Sequence, residues 1–141
     1  TRTKIAVSSN DPEVDPIGAC IGPKGGRVGA VVEELRGEKV DIIAWSENPE
    51  KFVAAALAPA EVYTSTLLED GRSCRAVVPD NQLSLAIGRE GKNARLAAKL
   101  TGYKIDIKPA SEMAAQGSIK IDVSQLELAE SPEPELPEDE G

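Results

Sequence analysis

Ala19-Cys20-Ile21-Gly22-Pro23-Lys24-Gly25 and, further along, Leu85-Ala86-Ile87-Gly88-Arg89-Glu90-Gly91 are two copies of one pattern, and the fold is read from what flanks them. In each copy an apolar stretch ends in Ile-Gly-x-x-Gly, a helical stretch follows, a glycine stops it, and a strand-like run closes the unit. That run is Lys39-Val40-Asp41-Ile42-Ile43 in the first copy and Lys104-Ile105-Asp106-Ile107 in the second. From the second loop glycine to the stop glycine is twelve residues in one copy (Gly25 to Gly37) and eleven in the other (Gly91 to Gly102), which predicts a one-residue difference inside the helix.

Beyond the first loop, Val28, Val31, Val32 and Leu35 recur at i, i+3, i+4 and i+7, the spacing of one helical face, and Gly37 can stop that helix. In the second copy Leu96, Ala97 and Leu100 make the corresponding face and Gly102 is the stop, while Lys92, Arg95 and Lys99 fall on another face. Short apolar helices precede the loops, over Val14 to Ile21 and Asn81 to Ile87, and strands precede those, over Lys4 to Val7 and Arg75 to Val78. Between the copies, Asn48 can cap and Pro49 can start a helix carrying Phe52, Val53, Ala56 and Leu57, which Pro59 ends. A strand over Glu61 to Leu68 then turns through Asp70-Gly71. The second copy therefore reads helix, strand, strand, helix, helix, strand. The first lacks the opening helix and strand, and begins at Thr1 rather than Met, so we expect the chain to start inside its first domain. Only Trp45 to Asn48 separate the units, which predicts a rigid side-by-side pair.

Composition narrows the function classes. The four aromatic residues (Trp45, Phe52, Tyr63, Tyr103) leave the core to Val, Ile, Leu and Ala, which suits helix-on-sheet layers. The absence of histidine excludes His-based acid/base and nucleophile activation and most zinc chemistry; no catalytic residue, metal site, cofactor or small-molecule substrate is expected. Cys20 and Cys74 form no CxxC pair and read as idle thiols. No apolar run reaches membrane-span length, so the chain is read as cytoplasmic with no membrane partner. The formal net charge is −8, but residues 1 to 108 carry 15 basic and 15 acidic side chains, whereas residues 109 to 141 carry one basic against nine acidic. That segment, with Pro132, Pro134 and Pro137 among its acids, is expected to be a largely disordered acidic tail, with a strand-like alternation over 119–123.

Two glycines between helices let a nucleic-acid backbone approach without a Cβ in the way, and amides at the start of the following helix can face phosphates. The candidate RNA-binding residues are Ile21, Gly22, Pro23, Lys24, Gly25 and Arg27 in the first copy. In the second they are Ile87, Gly88, Arg89, Glu90, Gly91, Lys92 and Arg95. Pro23 has no amide proton, so the first loop offers one donor fewer; Glu90 places a negative charge in the second, which Arg89, Lys92 and Arg95 must outweigh. The bland alternative, a helix hairpin whose glycines serve only packing, explains one loop but not two with matching flanks. Gly26-Arg27-Val28-Gly29 is a chance match inside a helix, and neither GxGxxG nor a P-loop GK[ST] is present.

Helix, Ile-Gly-x-x-Gly, helix, strand, present twice, resembles the KH domain, which takes up about four unstacked nucleotides per unit. The segments Asp15 to Gly22, Gly37 to Ile43, Leu83 to Gly88 and Asn93 to Gly102 resemble the NusA family of bacterial transcription factors, over nearly all of residues 1 to 108 but not the tail. That resemblance implies an α+β fold of two-layer α/β units: two tandem prokaryotic-type (type II) KH domains. The first, N-terminally truncated, would span residues 1–47 and the second 48–108, with the acidic tail at 109–141. It implies binding to single-stranded nascent RNA and association with RNA polymerase through a full-length parent during pausing, termination and antitermination; the short connection between the units predicts that the RNA runs as one continuous track over both loops. Two other readings stand beside it: a KH pair acting outside transcription, in ribosome association or RNA turnover, and a scaffold that binds basic partners.

Overall fold

The computed structural model describes residues 2–115. The expected acidic tail falls beyond them, apart from its first residues, and so does the alternation over 119–123. Strand β1 (Arg2–Val7) pairs in parallel with β2 (Lys39–Ala44), and between them run helices α1 (Pro16–Ile21) and α2 (Gly26–Glu34). Helix α3 (Pro49–Ala56) opens the second unit, followed by β3 (Thr64–Leu67), β4 (Ser73–Val78), α4 (Leu83–Ile87), α5 (Lys92–Thr101) and β5 (Lys104–Pro109). Its sheet has the order β3-β4-β5, with β3 antiparallel and β5 parallel to β4. The two parallel pairs share one register, Arg2 opposite Lys39 and Ser73 opposite Lys104. Each unit thus brings its glycine loop to the same place, between the two helices that cross from one parallel strand to the next.

Local chemistry sets the element ends where the sequence placed them, within a few residues. Pro16 and Pro49 occupy first turns, where the missing amide costs no helical bond. Asn48 Oδ1 accepts from the amides of Glu50 (2.9 Å) and Lys51 (3.3 Å), the capping expected of it. In the β3–β4 turn, Gly71 takes φ +72° and Asp70 Oδ1 accepts from the amides of Arg72 and Ser73, both at 2.9 Å. The Arg72 amide, together with the Ser73 hydroxyl, holds the Asp70 carboxyl below the usual aspartate range.

One difference concerns the helix stops. The extra residue of the first copy is not inside the helix but just after it. Counting from the loops, Arg36 stands where Gly102 stands, and both adopt left-handed φ, +61° and +81°. Gly37 is the residue gained, and its amide reaches back to the Val32 carbonyl at 2.8 Å. The glycine spacing hid this because an arginine took the conformation that glycine usually fills.

The core is continuous across both units. Ile43 of β2 is 1% exposed and clusters with Phe52, Val53, Ala56 and Leu57 from α3 and its end, with Cys74 and Ala76 of β4, and with Ala97 of α5. Helix α3 therefore covers both sheets at once. A buried lysine adds to the junction: the Lys4 side chain is 1% exposed, and its Nζ donates to Asp41 Oδ2 (2.7 Å) and to the Ala58 carbonyl (2.7 Å). These contacts make the side-by-side arrangement of the two units a packed one. Helix α2 is different. Its expected apolar face includes Val31 and Leu35, each 44% exposed, and no residue of α1 or α2 is buried.

The tail expectation is corrected at its start. Pro109 ends β5, and residues 110–115 form helix α6 (Ala110–Ala115), packed on β4 and β5 with Met113 buried. The Ser111 amide donates to Asp80 Oδ1 (3.1 Å), and Lys108 pairs with Glu112 one turn on (3.6 Å). One apolar anchor in a six-residue helix leaves no periodicity to read. Both cysteines are free, Cys20 exposed and Cys74 buried, and burial pushes the Cys74 thiol up. Among the described residues no helix is long and apolar enough to cross a membrane.

Candidate nucleic-acid interface

The two loops have the same backbone, residue for residue. Gly22 and Gly88 lie at φ/ψ 78°/170° and 82°/167°, Lys24 and Glu90 at 54°/29° and 58°/24°, and Gly25 and Gly91 at 72°/19° and 75°/13°. Two sequences that share only Ile-Gly-x-x-Gly therefore hold a non-glycine residue left-handed at the same spot. That conformation is sparsely populated for such residues and concentrates at functional sites.

Each loop's own carbonyls take up two amides, the second of them the first amide of the following helix. Gly25 N–H donates to the Gly22 carbonyl and Gly26 N–H to that of Pro23; Gly91 donates to Gly88 and Lys92 to Arg89. The loops are thus closed, self-bonded turns. What they present outward is glycine backbone and the side chains of Lys24, Arg89 and Glu90, all exposed. Ile21 (36% exposed) and Ile87 (39%) stand just before them, apolar surface left open to a ligand.

The remaining candidates divide. Lys92 is exposed at the start of α5. Arg95 and Arg27 are exposed as well, but each guanidinium also braces its loop, Arg95 Nη2 donating to the Glu90 carbonyl (3.1 Å) and Arg27 Nη1 to the Ala19 carbonyl (2.8 Å). Arg95 thereby brings a positive charge to the loop that carries Glu90.

Sequence reasoning passed over three residues. Asn93 occupies the position of Arg27 in the second copy and does a similar job: it is 4% exposed, and its Nδ2 donates to the carbonyls of Ala86 (3.0 Å) and Leu57 (3.1 Å). Alignment of the two copies could have found it. Arg2 and Lys39 come to the second loop from the first unit, and no local signal announces that. With Lys92 they border a cavity between the units, on which Gly88 and Arg89 also open.

Paired strand-helix-loop-helix-strand units with glycine loops of one conformation define a tandem KH protein, the second unit in the type II order of helix, strand, strand, helix, helix, strand. The family description of the NusA-like first KH domain matches residues 1–45 and that of the NusA-like second KH domain residues 49–115. The chain belongs to the NusA family, as its tandem KH region.

Two relatives are named transcription termination/antitermination protein NusA. The one from Halalkalibacterium halodurans is 53% identical over 89% of this chain and 33% of its own length; the one from Bacillus subtilis is 51% identical over 99% and 36%. The chain thus spans about a third of the length of these curated relatives. Among solved structures, the crystal structure of APE1850 is similar in fold, with a TM-score of 0.53 and 24% identity over 74% of this chain and 77% of that one.

Proposed function

We propose that this chain binds single-stranded RNA at its two glycine loops, as the RNA-binding part of a NusA-like elongation factor that contacts nascent RNA in pausing, termination and antitermination. The observation that carries the reading is the identical loop backbone, with its left-handed Lys24 and Glu90, in two otherwise different sequences. Bare glycine surface admits a sugar-phosphate chain closely, Lys24, Arg27, Arg89, Lys92 and Arg95 supply the counter-charge, and Ile21 and Ile87 offer apolar contact to unstacked bases. The names of the relatives favour transcription over a ribosomal or RNA-turnover role. On this reading the chain is a binding module without catalysis, cofactor or metal, acting in the cytoplasm, and RNA polymerase is reached through the full-length parent.

The test replaces the two middle residues of a loop by aspartate, Pro23 and Lys24 together or Arg89 and Glu90 together. Aspartate tolerates the left-handed region better than most residues, so the loop conformation is retained. Single-stranded RNA affinity should fall at least ten-fold in each variant with an unchanged melting temperature; unaltered affinity in both would refute the assignment.

A further inference from the structure

Lys24 and Glu90 hold one position in two copies of the same loop. Both are exposed, and their backbones match at φ/ψ 54°/29° and 58°/24°. Each side chain therefore leaves its loop at the same point, beside the same bare glycine, and there the first loop sets an ammonium and the second a carboxylate. Cations surround that carboxylate without pairing with it. Arg95 comes to the loop, but its guanidinium donates to the Glu90 carbonyl (3.1 Å) and not to the side chain. Arg89 and Lys92 flank it and are exposed as well. Among the described residues the Glu90 side chain has neither an ion pair nor a hydrogen bond.

An ionised carboxylate only accepts hydrogen bonds. Phosphate oxygens are acceptors too, so Glu90 repels the group that Lys24 can hold. Along a sugar-phosphate chain the donor is the ribose 2′-hydroxyl, which RNA carries and DNA lacks. Base N–H groups are the other donors of a strand. The glycine surface of the loop, however, admits the backbone of the strand, while the apolar surface open to bases is Ile87, 39% exposed and ahead of the loop.

We propose that the Glu90 carboxylate accepts a hydrogen bond from a ribose 2′-hydroxyl and makes the second loop selective for RNA over DNA, while Lys24 lets the first loop hold the phosphates of either. This rests on the RNA-binding reading above, and the test separates the two. Against a 2′-deoxy strand the carboxylate meets phosphate with no donor to offset the repulsion. Leaving a charged acceptor unpaired costs more than an ordinary hydrogen bond contributes, and a site built around such a bond rejects the analogue that lacks the donor. The two loops then divide the work, the first adding affinity and the second discrimination between sugars.

The test exchanges the two residues. Glu90→Lys gives the second loop the side chain of the first, and Lys24→Glu does the reverse; the fold already holds both residue types at this conformation, so melting temperatures should not change. Fluorescence anisotropy gives the affinity for a single-stranded RNA of about twelve nucleotides, for the same sequence in all-2′-deoxy form with uracil retained, and for RNAs of permuted base order. The added positive charge of Glu90→Lys strengthens both sugars alike and cancels in their ratio. The RNA-over-DNA preference should fall roughly ten-fold in Glu90→Lys and rise in Lys24→Glu. A preference that Glu90→Lys leaves in place overturns the proposal. So does an effect of Glu90→Lys that follows base order and not the sugar, which would put a base N–H at the carboxylate. The RNA-binding reading fails on a different result, paired loop aspartates that leave RNA affinity intact.

Discussion

Gly22 and Gly88 combine φ near +80° with ψ near 170°, a region open to glycine alone, and an added Cβ would stand 2.9 Å from the Arg27 amide nitrogen and 2.7 Å from that of Asn93. Backbone cannot swing aside as a side-chain end can. Gly25 and Gly91 are left-handed only; a Cβ on Gly25 meets nothing within 4 Å, and one on Gly91 meets only the end of Arg95 at 3.6 Å. The first glycine of each loop is therefore structural, joining two helices at close quarters, while the second keeps the surface bare. Gly91→Ala should cost about 1 to 2 kcal/mol from its left-handed backbone. Gly88→Ala should cost more, because overpacking against Asn93 adds about 1 to 3 kcal/mol. Urea unfolding of the two variants checks the order. Equal losses would mean that contact with Asn93 does not matter.

Among the elements, α3 has the widest reach. Phe52, Val53 and Ala56 are buried against Ile43 of the first sheet and Cys74 and Ala76 of the second, so its loss removes core from both units. Trp45, at the end of the first unit, touches Phe52 edge-on with ring centroids 6.4 Å apart, and its fluorescence can report on that junction. Asn48→Ala removes the cap on α3 and should cost about 1 kcal/mol. The melting temperature should fall by roughly 3 to 6 °C. Trp45 fluorescence and far-ultraviolet circular dichroism should shift together. Two separated transitions would show that the units melt independently in spite of the shared helix.

For the whole molecule, the Arg2–Asp41–Lys4 cluster matters because it ties the first sheet to the Ala58 carbonyl beyond α3. Burial pushes Lys4 below the ordinary lysine value of 10.5, outweighing the attraction of Asp41. Between that lowered value and 10.5 the unfolded chain holds a proton that the folded chain releases, so Lys4 makes stability rise with pH across that window. Lys4→Met should remove this alkaline contribution, read as the difference between the two pH–stability curves. Asp41→Ala leaves the Lys4 charge buried without its counter-ion and should cost about 3 to 5 kcal/mol. Arg2→Ala spares the Lys4–Asp41 pair and should cost less. If Arg2→Ala proves as damaging as Asp41→Ala, the buried lysine is not what the cluster compensates.

The features legible along the chain are local ones. The loops, the caps at Asn48 and Pro49 and the order of elements were legible because glycine, proline and capping side chains act within a few residues of themselves. The resemblance to NusA was legible for the same reason, since it lies in contiguous stretches. Helix α6 escaped, having a single buried anchor, Met113, and so did the left-handed Arg36 in the glycine's place. That the two repeats share one core through α3, that Lys4 is buried between them, and that Arg2 and Lys39 of one unit face Arg89 and Lys92 of the other emerges only in the folded molecule. Distance along the chain separates the two kinds of feature. Burial and charge convergence depend on which surfaces meet, and residues separated by half the sequence carry no periodicity or spacing that records their meeting.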